Sequence, residues 1–266
     1  MKYVAGQDNH YKVLQVFNII GFSALVLVNF LANYLPLNGK TTGEIAGLYP
    51  NLFTPAGFTF SIWILIYVLL AIFVFCQANG IFSKDGEEFV YVNKIGFLFF
   101  SSCLLNMAWL FAWHYLQIPL SLIIMIFLLI NLIVLYNKLN QHDRVEKERG
   151  SLIVRLAISI YLGWITIATI ANVTTLLVYL DWNRFGLSEV FWTVVVLLLT
   201  VIIVMIFMLT NSDRLYGLVA IWALFGIIYQ RLTVEPIEYT IVIVSGIGIL
   251  IIIAGVIKAA NAFSSG

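Results

Sequence analysis

The chain has 266 residues, 62% of them hydrophobic and 10% charged, with a mean hydropathy of +1.01 and a net charge of +1. Soluble domains carry about 25% charged residues, so this composition leaves no room for a sizeable one and points to a polytopic membrane protein whose first partner is the lipid bilayer. The net charge of +1 says nothing about partners, and no basic tail or stripe suggests nucleic acid, so none is expected.

Eight apolar runs are long enough to cross a bilayer: about 13–34, 57–78, 92–115, 119–137, 153–179, 187–210, 215–232 and 238–258. They predict an all-α membrane bundle of about eight transmembrane helices. The first run, about 22 residues, exceeds a signal-peptide core and is expected to stay as a helix. It carries Asn18, Asn29 and Asn33 near one stripe. The loop 35–56 contains Pro36, Pro50, Pro55, Gly39, Gly43 and Gly47, which argue against a continuous helix. It suits a lid over the outer mouth of the bundle and a plain connector equally.

Span two opens after Pro55 and places Trp63 and Tyr67 one turn apart. The loop 79–91, with Glu87 and Glu88, is expected in the cytoplasm. Span three sets Asn106, Trp109 and Trp113 at i, i+3 and i+7, one helical face. His114 beside it reads as an interfacial hydrogen-bonder. The short link Gln117 to Pro119 predicts antiparallel packing of spans three and four, and Asn131 is the polar residue of span four. The loop 137–152 is the one charge-rich segment. Span five repeats the pattern of span three, with Tyr161, Trp164, Ala168 and Asn172 at i, i+3, i+7 and i+11. Trp182 and Trp192 fall where an aromatic belt is expected.

The last three spans are plainer. Span six is mostly Val, Leu and Ile, span seven carries Trp222 and Tyr229, and span eight has Gly246, Gly248 and Gly255, which allow close helix approach. The chain thus divides into a patterned part, 1–182, and a plainer part, 183–266. With the N-terminus inside, eleven Lys and Arg fall in cytoplasmic segments and three (Lys40, Arg184, Arg231) outside, so both termini are expected in the cytoplasm. Cys76 and Cys103 lie within spans and read as small core residues.

Lipid offers an Asn side chain no hydrogen-bond partner, so Asn106 and Asn172 must face other helices or a cavity. Three helices with aromatic and polar faces predict one shared interior. Helix packing and a ligand pocket use the same residues here. No carboxylate or Lys lies at mid-membrane depth. General acid–base catalysis therefore has no carrier, and ion-coupled transport lacks the ionisable groups it normally uses. No cofactor or metal is implied.

The motifs resemble the TspO/MBR family, the tryptophan-rich sensory proteins. Pro55, Trp63 and Tyr67 match its second helix. Leu105, Asn106 and Trp109 match its third, and Tyr161, Leu162, Trp164, Ala168 and Asn172 its fifth. The resemblance covers about 11–180, so the chain looks like a relative enlarged by three helices. Gly57 stands where the family has an early Trp, Thr54 where it has its first proline, Phe60-Ser61 where it has a glycine–proline pair, and Ile160 where a proline precedes the fifth-helix Tyr. The resemblance implies a membrane binding or sensing protein with a pocket for a flat apolar ligand such as a tetrapyrrole, lined by Trp63, Tyr67, Asn106, Trp109, Trp113, Tyr161, Trp164 and Asn172. Porphyrin degradation would follow by family analogy alone. A homodimer and a bacterial cytoplasmic membrane are further expectations. Facilitated transport of an apolar compound and a scaffold for a membrane partner are the alternatives.

Overall fold

The computed structural model describes residues 5–35, 37–82, 90–140 and 149–264. The Glu87–Glu88 pair and the charged stretch 141–148 lie outside the described residues. All regular structure among the described residues is helical: α1 (Ala5–Tyr34), α2 (Thr42–Gly47), α3 (Ile62–Phe82), α4 (Val90–Ile95), α5 (Leu98–His114), α6 (Ile118–Asn140), α7 (Arg149–Tyr179), α8 (Glu189–Asn211), α9 (Arg214–Thr233) and α10 (Tyr239–Ser264). Among the described residues, seven helices are long and apolar enough to cross a membrane, and α5 is a shorter apolar helix beside them.

The predicted third span is broken. Gly96 adopts φ +52, a left-handed conformation, and separates α4 from α5. Its N–H still donates to the Val92 carbonyl, which closes α4. A side chain would resist this backbone and glycine does not. What remains, α5, has 17 residues. At 1.5 Å per residue it spans about 25 Å, less than the ~30 Å of a bilayer core.

Five helices close a ring. α1 packs on α3 and α5, α5 on α6, α6 on α7, and α7 returns to α3. The link from α5 to α6 is tight, with Leu116 at φ +56, and the two helices pack along each other as its brevity predicts. The last three helices sit outside this ring against α7. α9 packs on α7, and α10 packs on both α9 and α8. Gly248 and Gly255 permit that contact: a Cβ on Gly248 would lie 2.9 Å from Val201, and one on Gly255 would meet Met208. Gly246 faces open space.

Helix ends are set by local chemistry. The Thr41 hydroxyl accepts the Glu44 N–H, and the Glu44 carboxylate accepts the Thr41 N–H at 2.7 Å, a reciprocal capping box that starts α2 inside the 35–56 loop. Ser188 caps α8 and Asp213 caps α9. Asp213 also accepts the Tyr136 hydroxyl from α6 at 2.8 Å and the Ser159 hydroxyl from α7 at 2.7 Å. One carboxylate therefore joins the α8–α9 corner to two helices of the ring.

Candidate ligand-binding site

α3, α5 and α7 bring their patterned faces to one place inside the ring. Trp63 of α3 stacks on Tyr67, with ring centroids 5.4 Å apart and 20° between planes. It also meets Tyr161 and Trp164 of α7 edge-on, at 5.8 and 6.3 Å. Trp109 and Trp113 of α5 stack at 5.8 Å. Offset or edge-on pairing at these distances is the geometry aromatic rings prefer.

The asparagines knit the helices together. Asn106 is fully buried. It donates to the Tyr161 hydroxyl at 2.7 Å and accepts a long 3.5 Å contact from Asn29 of α1. Asn172 accepts the Trp109 indole N–H at 3.2 Å and donates to Ser121 of α6 at 3.1 Å. Asn106 therefore ties α1, α5 and α7, and Asn172 ties α5, α6 and α7. All eight sequence-predicted residues lie around this interior, and the polar atoms of Asn106, Trp109, Tyr161 and Asn172 serve helix–helix bonds. The Trp164 indole N–H, by contrast, is buried with no hydrogen-bond partner. The Tyr67 hydroxyl likewise makes no hydrogen bond of good geometry, although it lies beside Asn29.

The 35–56 loop folds down onto one end of the ring. Trp113 donates to the Thr42 carbonyl at 3.1 Å. The His114 ring spans the gap between α5 and the loop, with Nε2 3.1 Å from the Thr42 hydroxyl and Nδ1 3.1 Å from the Leu37 carbonyl. His114 is a hydrogen-bonder, as its position predicts, and its side chain is buried beneath the loop. Ala46 and Phe53 of the loop are buried against the aromatic cluster.

Two spaces adjoin the cluster. One is enclosed, about 50 Å³, bordered by Trp63, Trp109, Trp113, Trp164 and Asn172. It has room for a few water-sized molecules and no more. The other is a groove of about 950 Å³ between α1 and α3, roofed by α2 and floored by Trp63, Tyr67 and Trp109, with Asn29 and Asn33 on its α1 wall. Phe60, Trp63 and Trp109 border both spaces and form the partition between them. Gly57 lies at the groove's mouth, and a Cβ there would meet nothing within 4 Å.

Sequence reasoning missed the contribution of α9. Ala223 and Ile227 border the enclosed space. Trp222 donates its indole N–H to the Thr59 carbonyl at 2.9 Å, and the Gly226 carbonyl accepts the Ala56 N–H at 3.1 Å. A Cβ on Gly226 would collide with the Thr59 hydroxyl, so only glycine fits. α9 thus holds the turn Gly57–Ser61 that leads into α3 and aims Phe60 and Trp63.

The ring order α1–α5–α6–α7–α3, with the Asn106 and Asn172 bonds at its centre, is the context in which a family match is informative. The family model described as TSPO-like protein matches residues 15–257. The chain belongs to this family. The match runs through α8, α9 and most of α10, whereas the sequence motifs of TspO-like type end at Asn172. Neither a curated protein nor a solved structure matches the chain. This TSPO-like chain is an integral membrane protein built from an all-α, multi-span bundle.

Proposed function

We propose that this TSPO-like protein binds and senses a flat apolar ligand of porphyrin type, held in the groove between α1 and α3. One observation carries the reading: a groove of about 950 Å³ is floored by the rings of Trp63, Tyr67 and Trp109. Small-molecule sites commonly occupy about 300–1,000 Å³ and combine apolar walls with a few polar groups. Aromatic faces stack on a macrocycle, while Asn29 and Asn33 orient its polar edge. The orphan indole N–H of Trp164 lies behind the partition, where a ligand that displaces Phe60 or Trp63 would meet it. The fully packed interior around Asn106 and Tyr161 is the frame, and the groove is the seat. The Lys and Arg distribution supports both termini on the cytoplasmic side, and the membrane is taken to be a bacterial cytoplasmic one.

The test is a titration of purified protein with protoporphyrin, followed by quenching of intrinsic Trp fluorescence. Trp63→Phe and Trp109→Phe variants run in parallel. Saturable quenching at micromolar ligand, weakened in both variants, supports the groove. Quenching that never saturates, or that ignores both substitutions, overturns it.

A further inference from the structure

A third space, which shares no lining residue with the groove, lies beside α7. α7 and α8 diverge from the turn that joins them and leave a cleft of about 500 Å³. Its depth is apolar, with Leu177 and Val178 on one wall and Val195, Val196 and Leu199 on the other. Its rim is polar and carries Asp181, Asn183, Arg184 and Glu189. The rim falls at the C-terminal end of α7 and the N-terminal end of α8, the level where spanning helices leave the hydrocarbon for the headgroups. Trp182 and Trp192 pack there with centroids 4.9 Å apart, as side chains at that level do.

The rim is built rather than loose. Asp181, Arg184 and Phe185 all take left-handed φ values, between +49 and +57, an arrangement that costs energy in non-glycine residues and collects at functional positions. The Trp192 indole N–H donates to the Arg184 carbonyl at 2.8 Å, and the Asn183 side chain accepts the Phe185 N–H at 3.0 Å. Both bonds hold the turn in that shape.

The charges on the rim are unequally committed. Glu189 is engaged twice: it accepts the Leu52 N–H at 2.9 Å and pairs with Arg184 at 3.4 Å. Arg184 uses one nitrogen of a five-donor guanidinium in that pair. Asp181 has no ion-pair partner among the described residues. The rim therefore offers an unpaired carboxylate and a guanidinium with donors to spare, above an apolar slot.

We propose that the cleft is a binding site for one zwitterionic membrane phospholipid with a primary amine, phosphatidylethanolamine in type. An acyl chain fills the slot between α7 and α8, the phosphate accepts from Arg184, and the ammonium donates to Asp181. An anionic headgroup would satisfy Arg184 and repel Asp181. A choline headgroup supplies the charge but no N–H to donate.

Full-length protein in nanodiscs of dioleoylphosphatidylcholine, supplemented with equal amounts of phosphatidylethanolamine and phosphatidylglycerol, is released into native mass spectrometry. The expected result is one retained phosphatidylethanolamine, favoured at least threefold over phosphatidylglycerol. Asp181→Asn removes that preference, Val196→Trp fills the slot and removes retention, and Trp63→Phe, in the separate groove, changes neither. Asp181 is exposed, so its variant reports even where Val196→Trp fails to fold. Equal retention of the lipids, or a preference that survives Asp181→Asn, overturns the assignment.

Discussion

The indole N–H of Trp109 donates to the side-chain oxygen of Asn172 across 3.2 Å, and this bond joins the two patterned helices at the heart of the ring. Both residues are buried. Interhelical hydrogen bonds within membranes contribute about 0.6 kcal/mol on average and up to about 1.7 kcal/mol. Asn172→Leu removes the acceptor of Trp109 and the donor to Ser121 together. It should lower stability by about 1–2 kcal/mol, read as a lower melting temperature in detergent.

Gly226→Ala should damage the same site from a distance. The added methyl has no room beside Thr59, and overpacking of this kind costs about 1–3 kcal/mol. Movement of the Gly57–Ser61 turn would carry Trp63 with it, so porphyrin quenching should weaken as well. Thr59→Ala removes both the hydroxyl, the atom nearest that position, and the γ-methyl, and should recover part of both losses in the double variant.

Gly57→Trp tests the groove by restoring the ring that the resemblance places there. The position is exposed and unobstructed, so the protein should fold with an unchanged melting temperature. The ring that TspO-like relatives carry at this position would extend the groove's aromatic wall and should raise affinity for protoporphyrin several-fold in the fluorescence titration. Unchanged affinity would place the ligand elsewhere.

Glu44 gives the loop a dependence on pH. The Thr41 backbone N–H, and then its hydroxyl, hold the Glu44 carboxyl below the ordinary carboxylate value. A depressed value means the cap is fully formed above the unfolded carboxylate pKa and is lost as pH falls through the lower folded one. Amides of 42–47 should therefore exchange faster with deuterium as pH drops into that acidic window, after correction for intrinsic rates. Glu44→Gln, whose amide oxygen still accepts, should remove the pH step.

Asp213→Ala should loosen the junction between the ring and the last three helices. It strips the N-cap of α9, which alone is worth about 0.5–2 kcal/mol, and leaves the Tyr136 and Ser159 hydroxyls without their shared acceptor. Limited proteolysis should cut the 211–214 corner faster in this variant than in the parent chain.

The frame of the site is legible in sequence, and its seat is not. Asn106, Trp109 and Trp113 announce a face because helical spacing alone brings them together, and Tyr161 to Asn172 repeat the signal. The role of α9 leaves no such trace. Ala223, Gly226 and Ile227 act through closeness to a turn more than 160 residues earlier in the chain, and an apolar run with one glycine reads the same whether or not it packs there. The break at Gly96 is hidden for a related reason: an isolated glycine in an apolar stretch does not reveal its φ. Asp213 looks like an ordinary cap, and only the fold shows that two other helices bond to it.

The groove between α1 and α3 runs along the flank of the bundle, past Val26, Phe30, Ile64 and Val68, which are all exposed. Its opening therefore faces acyl chains rather than water. A ligand arriving there has already left the aqueous phase, so occupancy follows its mole fraction in the bilayer. A weak site can then fill at trace aqueous levels, because each buried methylene adds about 0.8 kcal/mol to membrane partitioning. Under the proposed function the protein would read what has accumulated in the membrane, and two compounds of equal affinity for the groove would compete according to their solubility in lipid.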